Sequence, residues 1–232
     1  MKGPKMVRVG NDAGGDASIS FCIDSTEVTR EQYDEFLSAD GGGADKALEE
    51  CSFNLFYQPY QHEDAGPPPN APGSTPVVYI DWCDAYAYCA WAGKRLCGRI
   101  GKDGLTLGQS SDPRASQWTF ACSAGGSRNY PYGNSYEPGK CNDGTTMPRY
   151  LAAIDEYSQC TGGVEGLLAM SGNAYEWENA CDYWACHVRG GSYQGGRNPD
   201  ADSFSCKVPA QRDGFNRRNR ANDVGFRCCS NP

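Results

Sequence analysis

Residues 81–96 read DWCDAYAYCAWAGKRL and contain both ends of a predicted helix. Asp81 is a residue type that caps helix N-termini, and Gly93 lies where a left-handed residue commonly ends a helix. Between them, four residues share one face at helical spacing: Trp82, Ala85, Tyr86 and Cys89. This stretch therefore predicts a helix that packs against a core.

Weaker patterns precede this helix. Residues 17–28 alternate well enough to predict a strand, and Thr29 to Gln32 has the spacing of a capping box. We expect another helix to start there, with a buried face formed by Tyr33, Phe36 and Leu37. Five prolines and two glycines between residues 64 and 76 predict a surface loop.

The pattern after the helix is less regular. Residues 98–115 are rich in Gly, Ser and Asp, which predicts a loop. Asp112-Pro113 then supplies a cap and a first-turn proline for a third short helix, through Trp118, Phe120 and Cys122. Short strands and long loops follow without an internal repeat or a linker, so we expect a single domain over residues 1–232.

The composition favours an acidic domain that folds alone. With 232 residues and 39% apolar content the chain can build its own core, and we expect a monomer. The formal charge of -8 disfavours nucleic acids and anionic membranes as partners, because both would repel an acidic surface. No apolar run approaches the length of a spanning helix, so we expect no membrane insertion.

Thirteen cysteines are scattered along the chain without a C-x-x-C pair. This usage predicts disulfides rather than a zinc site, and therefore a protein that is secreted, periplasmic or on the cell surface. Because the count is odd, at least one thiol has no partner within the chain. Adjacent Cys228 and Cys229 would point to opposite faces of a strand and should bond to different cysteines.

Six sequence blocks, in order along the chain, are typical of one known family. They are IDSTEVT at 23–29, YCAWAGKRL at 88–96, YPYGN at 130–134, MSGNAYEW at 170–177, RGGSY at 189–193 and DVGFRC at 223–228. Over nearly its whole length the chain resembles the formylglycine-generating enzyme, or sulfatase-modifying factor, superfamily. The resemblance implies an irregular, disulfide-rich α+β fold with a C-type-lectin-like core, few regular elements and many loops.

Members of this superfamily differ in function. Some are copper-dependent oxidases of sulfatase cysteines, some are iron-dependent sulfoxide synthases, and some are ligand-display proteins diversified by retroelements. The copper enzymes use two cysteines just after the Gly-Gly-Ser-Tyr block, since Cu(I) selects soft thiolates. Here Gly195 and Asp200 stand at those two positions, and neither supplies a thiolate.

The iron-dependent branch needs a histidine cluster. This chain has two histidines, His62 and His187, which could form a facial triad with one carboxylate. One lies beside the proline-rich loop and the other near the end of the domain. An oxygenase site that uses both histidines is therefore an alternative and not the leading hypothesis. A reworked site could also use Asp200 with His187, or an unpaired cysteine.

Polar and aromatic residues occupy the region where the family's substrate groove would lie. The candidate ligand-binding set is Tyr175, Ser192, Tyr193, Gln194, Arg197, Asn198, Asp200, Asn216 and Arg218. Tyrosine offers rigid contact area and arginine a planar donor fork, both typical of recognition hot spots. The Asn/Arg-rich run 216–220 also resembles the variable region of diversified proteins, although charge patterning alone is equally typical of a solvated loop.

The resemblance further implies two calcium sites built from oxygen ligands, as a hard cation requires. The first would use the side chains of Asn142 and Asp155 and the carbonyls of Asp143 and Tyr157. The second would use the carbonyls of Gly172 and Ala174 and the carboxylate of Glu176. Because Ala169 stands where an Asp or Asn ligand is usual, we expect this second site to be weak or empty.

Two disulfides are implied by the same resemblance, Cys89 with Cys228 and Cys122 with Cys206. Both would close long loops, which the chain-entropy model values at about 4 to 5 kcal/mol each. Proximity in sequence also suggests Cys141 with Cys160 and Cys181 with Cys186, and leaves the remaining pairings open.

Three classes of function follow from these observations. The leading hypothesis is a calcium-stabilised ligand-binding or display domain without oxidase activity, whose ligand is a glycan, a peptide or a protein. The first alternative is an oxidase or oxygenase with a reworked copper or iron site. The second alternative is a structural module of an exported assembly.

Overall fold

A computed structural model describes residues 1–10, 19–39, 48–60, 72–102, 104–147, 149–196, 199, 201–207 and 215–232. Within these ranges the α-helices are α1 (Arg30–Ser38), α2 (Trp82–Trp91) and α3 (Gln117–Cys122). The strands are β1 (Met6–Val9), β2 (Phe21–Asp24), β3 (Arg95–Leu96), β4 (Tyr175–Cys181), β5 (Cys186–Arg189), β6 (Val224–Phe226) and β7 (Cys228–Ser230). Loops and short 3₁₀ turns connect them. The predicted irregular α+β class is confirmed.

Helix α2 forms as its sequence predicts. Asp81 accepts the Asp84 N–H at 2.9 Å, and Asp84 accepts the Asp81 N–H at 3.0 Å, which closes a capping box. Gly93 follows the helix with a φ of +74°, a conformation that glycine adopts without strain. The helix is almost entirely buried, because it packs in an apolar cluster with Trp177 and Phe226.

Helix α1 also starts where predicted. The Thr29 hydroxyl accepts the Gln32 N–H, and the Gln32 side chain accepts the Thr29 N–H. Tyr33 and Phe36 are fully buried and pack against α2, with the ring of Tyr33 stacked on that of Tyr88. The capping box thus sets the register that places both aromatic residues in the core.

Helix α3 starts later than predicted. Its N-cap is Ser116, whose hydroxyl accepts the Thr119 N–H at 3.0 Å. The carboxylate of Asp112 instead accepts the Arg114 N–H at 2.8 Å. Asp112-Pro113 therefore forms a separate turn, because the aspartate satisfies its own turn before the helix begins.

Two small sheets hold the rest of the chain together. One has the order β1-β2-β7-β3 and is antiparallel; the other has the order β5-β4-β6, with β4 antiparallel to β5 and parallel to β6. The strand predicted over 17–28 is shorter, since β2 ends at Asp24. Beyond it the backbone moves to the other sheet, where the Val28 N–H donates to the Phe226 carbonyl at 3.0 Å.

Six disulfides cross-link the described residues: Cys51–Cys83, Cys89–Cys228, Cys97–Cys229, Cys122–Cys206, Cys141–Cys160 and Cys181–Cys186. They include both pairs implied by the resemblance and both pairs suggested by proximity. Cys51–Cys83 and Cys97–Cys229 were not anticipated. Cys228 and Cys229 bond to different partners, and Cys22 is the free thiol. No helix in the described ranges is long and apolar enough to cross a membrane.

Candidate functional site

An open groove of about 1080 Å³ lies at the tip of the β4–β5 hairpin. Its walls come from three segments, 49–53, 182–184 and 216–219, and we call it the hairpin groove. Two of the predicted ligand residues, Asn216 and Arg218, line it. The volume is slightly above the range of roughly 300–1,000 Å³ typical of ligand sites.

Two aromatic side chains project from the hairpin tip. Tyr183 is 80% exposed and Trp184 71% exposed, and their rings are nearly perpendicular with centroids 4.6 Å apart. The backbone beneath them is tied down, because the Asp182 carboxylate accepts the N–H groups of Ala185 and Trp184 at 2.7 and 2.8 Å. These hydrogen bonds lower the pKa of Asp182, so the carboxylate at the tip stays ionised.

Arg217 fixes this tip to the third wall of the groove. Its Nη1 donates to the Tyr183 carbonyl at 3.2 Å, and its Nη2 donates to the Asp182 carbonyl at 2.9 Å. The guanidinium also lies over the ring of Trp82, 5.4 Å from the centroid. Arg217 is therefore a structural clamp in the groove wall.

Arg220 fixes the other end of the Asn/Arg-rich run, to residues 56–58 and to the start of α2. Its guanidinium donates to the carbonyls of Gln58 and Phe56 at 2.8 and 3.2 Å. It also pairs with the carboxylates of Asp81 and Asp84, each at 2.8 Å, at the N-terminus of α2. The Asn/Arg-rich run is thus held at both ends by its own arginines and is not simply a solvated loop.

Three charged side chains of the groove are exposed, and their charged groups are not paired with other described residues. Arg218 is exposed and lies over the Phe53 ring at 4.4 Å, and its guanidinium forms no hydrogen bond with a described residue. Glu49 and Glu50 are exposed in a 3₁₀ turn, and neither forms an ion pair within the described part of the chain. A ligand can reach all three.

The other predicted ligand residues lie at the opposite end of β4. Tyr175 begins this strand, so it is about 20 Å from the tip at roughly 3.3 Å per residue. Ser192 and Tyr193 are held at the same end, because the Tyr193 N–H donates to the Asn173 carbonyl and the Ser192 hydroxyl donates to Asp223, whose carbonyl accepts the Tyr175 N–H. Gln194 follows them directly in the chain. The structure therefore separates the predicted ligand set into two groups. Arg197, Asn198 and Asp200 lie outside the described residues.

The first of the two positions where copper enzymes of the family have a cysteine, Gly195, has no space for a side chain. A Cβ atom on Gly195 would lie 2.4 Å from the Asp143 carbonyl oxygen and 2.8 Å from Phe204 Cζ, both closer than real Cβ atoms approach. Only glycine fits there without movement of the backbone. The second position, Asp200, lies outside the described ranges.

The structure describes one of the candidate iron ligands, His187. His187 lies on β5, with its Nδ1 2.7 Å from the hydroxyl of Ser110. His62 and Asp200 fall outside the described residues. Among the residues that are described, no group of three or more His, Cys, Asp and Glu side chains is placed to hold a metal ion.

Two ligands of the first predicted calcium site share one cavity. Asn142 and Tyr157 line a cavity of about 10 Å³, close to the volume that one water molecule occupies. The Asn142 Nδ2 donates to the Tyr150 carbonyl and to Asn173 Oδ1, so its own Oδ1 remains as an acceptor that no described residue uses. Asp155 is exposed and directly follows Ile154 in the cavity wall. The Tyr157 carbonyl, the other predicted ligand in this wall, accepts the Cys160 N–H at 2.8 Å. The cavity thus offers oxygens of the type that calcium prefers, with Asn142 Oδ1 as its unused acceptor.

Asp143 departs from the predicted set. It does not line the cavity, and its carbonyl oxygen is directed at Gly195. Its carboxylate accepts hydrogen bonds from Thr145, Tyr136 and Gly139. Burial opposes ionisation, but these hydrogen bonds outweigh it and lower the pKa of Asp143. The residue thus organises its own loop.

The second predicted calcium set does not fit a cation. The Glu176 carboxylate is bonded on both oxygens to Arg227, at 2.7 Å each, and Oε2 also accepts the Trp118 indole N–H at 2.8 Å. The same guanidinium donates to the carbonyls of Leu168 and Ala169. A buried arginine therefore supplies the positive charge that a calcium ion would bring.

Glu27, which the sequence did not single out, completes this buried network. Its two carboxylate oxygens accept the Ala174 N–H and the Asn173 side-chain N–H, each at 3.0 Å. Burial, reinforced by the neighbouring Glu176 carboxylate, raises the pKa of Glu27 to about 8. Arg227, hydrogen-bonded to Glu176, also attracts the buried Glu27 carboxyl, so this end of β4 has a structural role.

The sequence also missed the groove residues Tyr183, Trp184, Glu49 and Glu50. A usable signal was present, because two adjacent aromatic residues lie between Cys181 and Cys186, which are five positions apart. A hairpin loop that short has little room to bury large side chains, and both aromatic side chains are exposed in the structure.

A known family model covers most of the chain. Residues 16–232 match the family described as "Sulfatase-modifying factor enzyme 1-like domain". The chain is 31% identical over 140 residues to the formylglycine-generating enzyme of Bos taurus, covering 51% of this chain and 32% of that protein. It is 30% identical over 174 residues to the "Inactive C-alpha-formylglycine-generating enzyme 2" of Bos taurus, covering 67% of this chain and 50% of that protein. The chain thus spans half or less of the length of these relatives.

Solved structures show the same fold. Treponema denticola variable protein 1 superposes with a TM-score of 0.57 at 17% identity, over 100% of this chain and 95% of that one. CarF also gives a TM-score of 0.57, at 18% identity, over 100% of this chain and 96% of that one. At such low identity these matches carry the fold alone.

Proposed function

The chain belongs to the sulfatase-modifying factor enzyme 1-like domain family, and we propose that within it the protein is an exported, calcium-stabilised ligand-binding domain without formylglycine-generating oxidase activity. The observation that carries the proposal is the closed position at Gly195. The resemblance assigns one copper-binding cysteine there, and the Asp143 carbonyl and Phe204 leave no space for its Cβ. A relative whose name calls it inactive shows that family membership does not require the activity.

The hairpin groove is the proposed binding site. It combines exposed tyrosine, tryptophan and arginine, the residue types that contribute most of the energy at recognition sites. Its walls are held by Arg217 and Arg220, so little order has to be gained on binding. Two of the residues predicted to bind ligand, Asn216 and Arg218, belong to it.

Binding can be tested with the purified protein on one glycan array and one peptide array. Trp184→Ala removes an exposed indole from the groove, and Met147→Ala removes an exposed side chain outside it, so the second variant is the control. We expect signals that Trp184→Ala abolishes and Met147→Ala keeps. If neither array gives a signal that depends on Trp184, the proposed function is wrong.

The absence of oxidase activity has its own assay. A peptide with a sulfatase-type Cys-x-Pro-x-Arg motif is incubated with the protein and copper, and the peptide mass is followed. We expect no conversion to formylglycine, because Gly195 supplies no thiolate. Conversion above a control without enzyme would contradict the proposal.

The calcium assignment rests on the cavity shared by Asn142 and Tyr157 and on Asp155, which directly follows Ile154 of the cavity wall. A cation that binds only the folded state should stabilise it by roughly 3 kcal/mol at a hundredfold excess over its dissociation constant. Chelation should therefore lower the melting temperature of the wild type and leave that of Asp155→Ala unchanged. Equal melting curves with and without chelator would contradict the site.

Export is proposed from the disulfides. Six of them within the described residues are typical of an oxidising compartment, since cytosolic proteins keep their thiols reduced. Their presence in protein recovered from the natural source, tested by thiol labelling before reduction, would support this step.

A further inference from the structure

The hairpin groove has an aromatic corner and a surplus of accessible negative charge. Tyr183 and Trp184 present two ring faces at 84° to each other. Such faces attract cations, because the ring quadrupole is negative above the ring plane. The sequence-predicted ligand set contained neither residue, and its members gave no indication of the sign of charge that the ligand carries.

We propose that the hairpin groove binds a peptide segment of a partner protein through a guanidinium or ammonium side chain of that segment. The inference rests on the proposed binding function and adds the chemical class of the ligand. It locates the cationic group against the rings of Tyr183 and Trp184, within reach of the carboxylates that line the same groove.

The charges of the groove support a cation. Three carboxylates line it, Glu49, Glu50 and Asp182, against two guanidinium groups. Arg217 is turned to the backbone carbonyls of the tip and also attracts the Asp182 carboxylate, so we set these two charges against each other. Glu49 and Glu50 remain against Arg218 alone. The formal charge of the whole chain, -8, adds attraction for a basic partner at long range.

Other ligand classes agree less well with these observations. An anionic ligand would be repelled by the two free glutamates. A neutral ligand that covered Glu49 and Glu50 would remove water from two carboxylates without offering them a counter-charge, which is unfavourable. A basic peptide avoids both costs, and its backbone can use the amides of Asn216 and Asn219 in the same wall.

The test uses the intact protein and three synthetic eight-residue peptides. Each has a glycine-serine background and a single variable position, occupied by arginine, by norleucine or by glutamate. Binding is followed by tryptophan fluorescence, and a Trp184→Phe variant identifies the contribution of Trp184, because the chain also contains Trp82, Trp91, Trp118 and Trp177. Titration at low and high salt shows whether the interaction is electrostatic.

We expect the arginine peptide to bind at least about tenfold more tightly than the norleucine peptide, and the glutamate peptide not to bind. Joint Glu49→Gln and Glu50→Gln substitution should weaken the arginine peptide about fivefold and reduce its salt dependence. Glu165→Gln, which removes an exposed carboxylate outside the groove, should have no effect.

Each outcome decides the inference. Equal binding of the arginine and norleucine peptides, or an unchanged affinity after loss of both glutamates, overturns the cationic ligand. A glycan-array signal that Trp184→Ala abolishes, with no arginine peptide bound, overturns it too but leaves the proposed binding function intact. If neither the arrays nor the peptide titrations give a signal that depends on Trp184, both the cationic ligand and the proposed binding function are overturned.

Discussion

Replacing Cys89 and Cys228 by alanine should cost much less stability than the 139 positions between them suggest. The reason is the neighbouring bond Cys97–Cys229, which joins almost the same two points of the chain. In an unfolded chain that keeps this second bond, Cys89 and Cys228 are already linked through a path of about ten residues. Closing so short a loop is worth about 2.7 kcal/mol in the chain-entropy model.

The cost changes when both bonds are removed. The next path between the same points runs through Cys122–Cys206 and contains about 57 residues, which corresponds to about 4.2 kcal/mol for the second bond lost. Either bond alone should therefore cost about 2.7 kcal/mol, and both together about 7 kcal/mol. The excess over the sum of the single losses is about 1.5 kcal/mol. This corrects the expectation of about 4 to 5 kcal/mol for Cys89–Cys228, which treated the bond as isolated.

The assay is equilibrium unfolding in urea without reductant. It compares the wild type with a variant lacking Cys89 and Cys228, a variant lacking Cys97 and Cys229, and a variant lacking all four cysteines. All four sulfurs are buried, so local packing losses occur in every variant, and they largely cancel in the double-mutant cycle. Peptide mapping should first establish that the remaining bonds are unchanged. Additive losses within about 0.5 kcal/mol would show that the two bonds constrain the unfolded chain independently, and would refute the reasoning.

Three further perturbations test the described contacts. Gly195→Ala should lower the free energy of unfolding by about 1–3 kcal/mol in a urea titration, whereas Gly133→Ala, which meets no neighbouring atom, should stay within about 0.5 kcal/mol of wild type. Glu27 has a folded-state pKa of about 8, above its ordinary value, so its stabilising effect is complete at low pH and is lost as the pH rises towards 8. From pH 5 to pH 8 the wild type should therefore lose at least about 1 kcal/mol more stability than Glu27→Gln, and parallel pH profiles would contradict this. Arg217→Ala should speed hydrogen exchange at the hairpin tip, and unchanged exchange there would show that the clamp is not needed.

Local sequence rules predicted helix starts well where residues in the first turn of the helix supply the hydrogen bonds that its N-terminal N–H groups need. The capping box at Thr29 and the N-cap at Asp81 were predicted correctly, because the capping partners lie within one turn of the helix. The start of α3 was wrong for the same kind of reason. Both Asp112 and Ser116 can cap, and only the tertiary position of Ser116, buried against Glu178, decides between them.

The candidate site was harder to predict, because it depends on contacts between distant segments. Asn216 and Arg218 were chosen from a run of similar residues, but the sequence does not show that Arg217 and Arg220 are clamps and Arg218 is free. That division depends on which carbonyls and carboxylates surround each guanidinium. The second calcium set failed similarly. Its carboxylate, Glu176, lies 51 positions from the arginine that pairs with it.

The two ends of β4 show why a binding function is compatible with the loss of oxidase chemistry. At one end Glu27, Glu176 and Arg227 form a buried network, so substitutions there act on the whole fold. At the other end the Cys181–Cys186 bond and the Asp182 hydrogen bonds fix the backbone of the tip within six residues. Side chains on that tip can vary without disturbing the core, and their backbone is already ordered, so little conformational entropy is lost when a partner binds. Two exposed aromatic side chains on so rigid a support are costly to keep in water without a partner, which favours recognition at this end of the molecule.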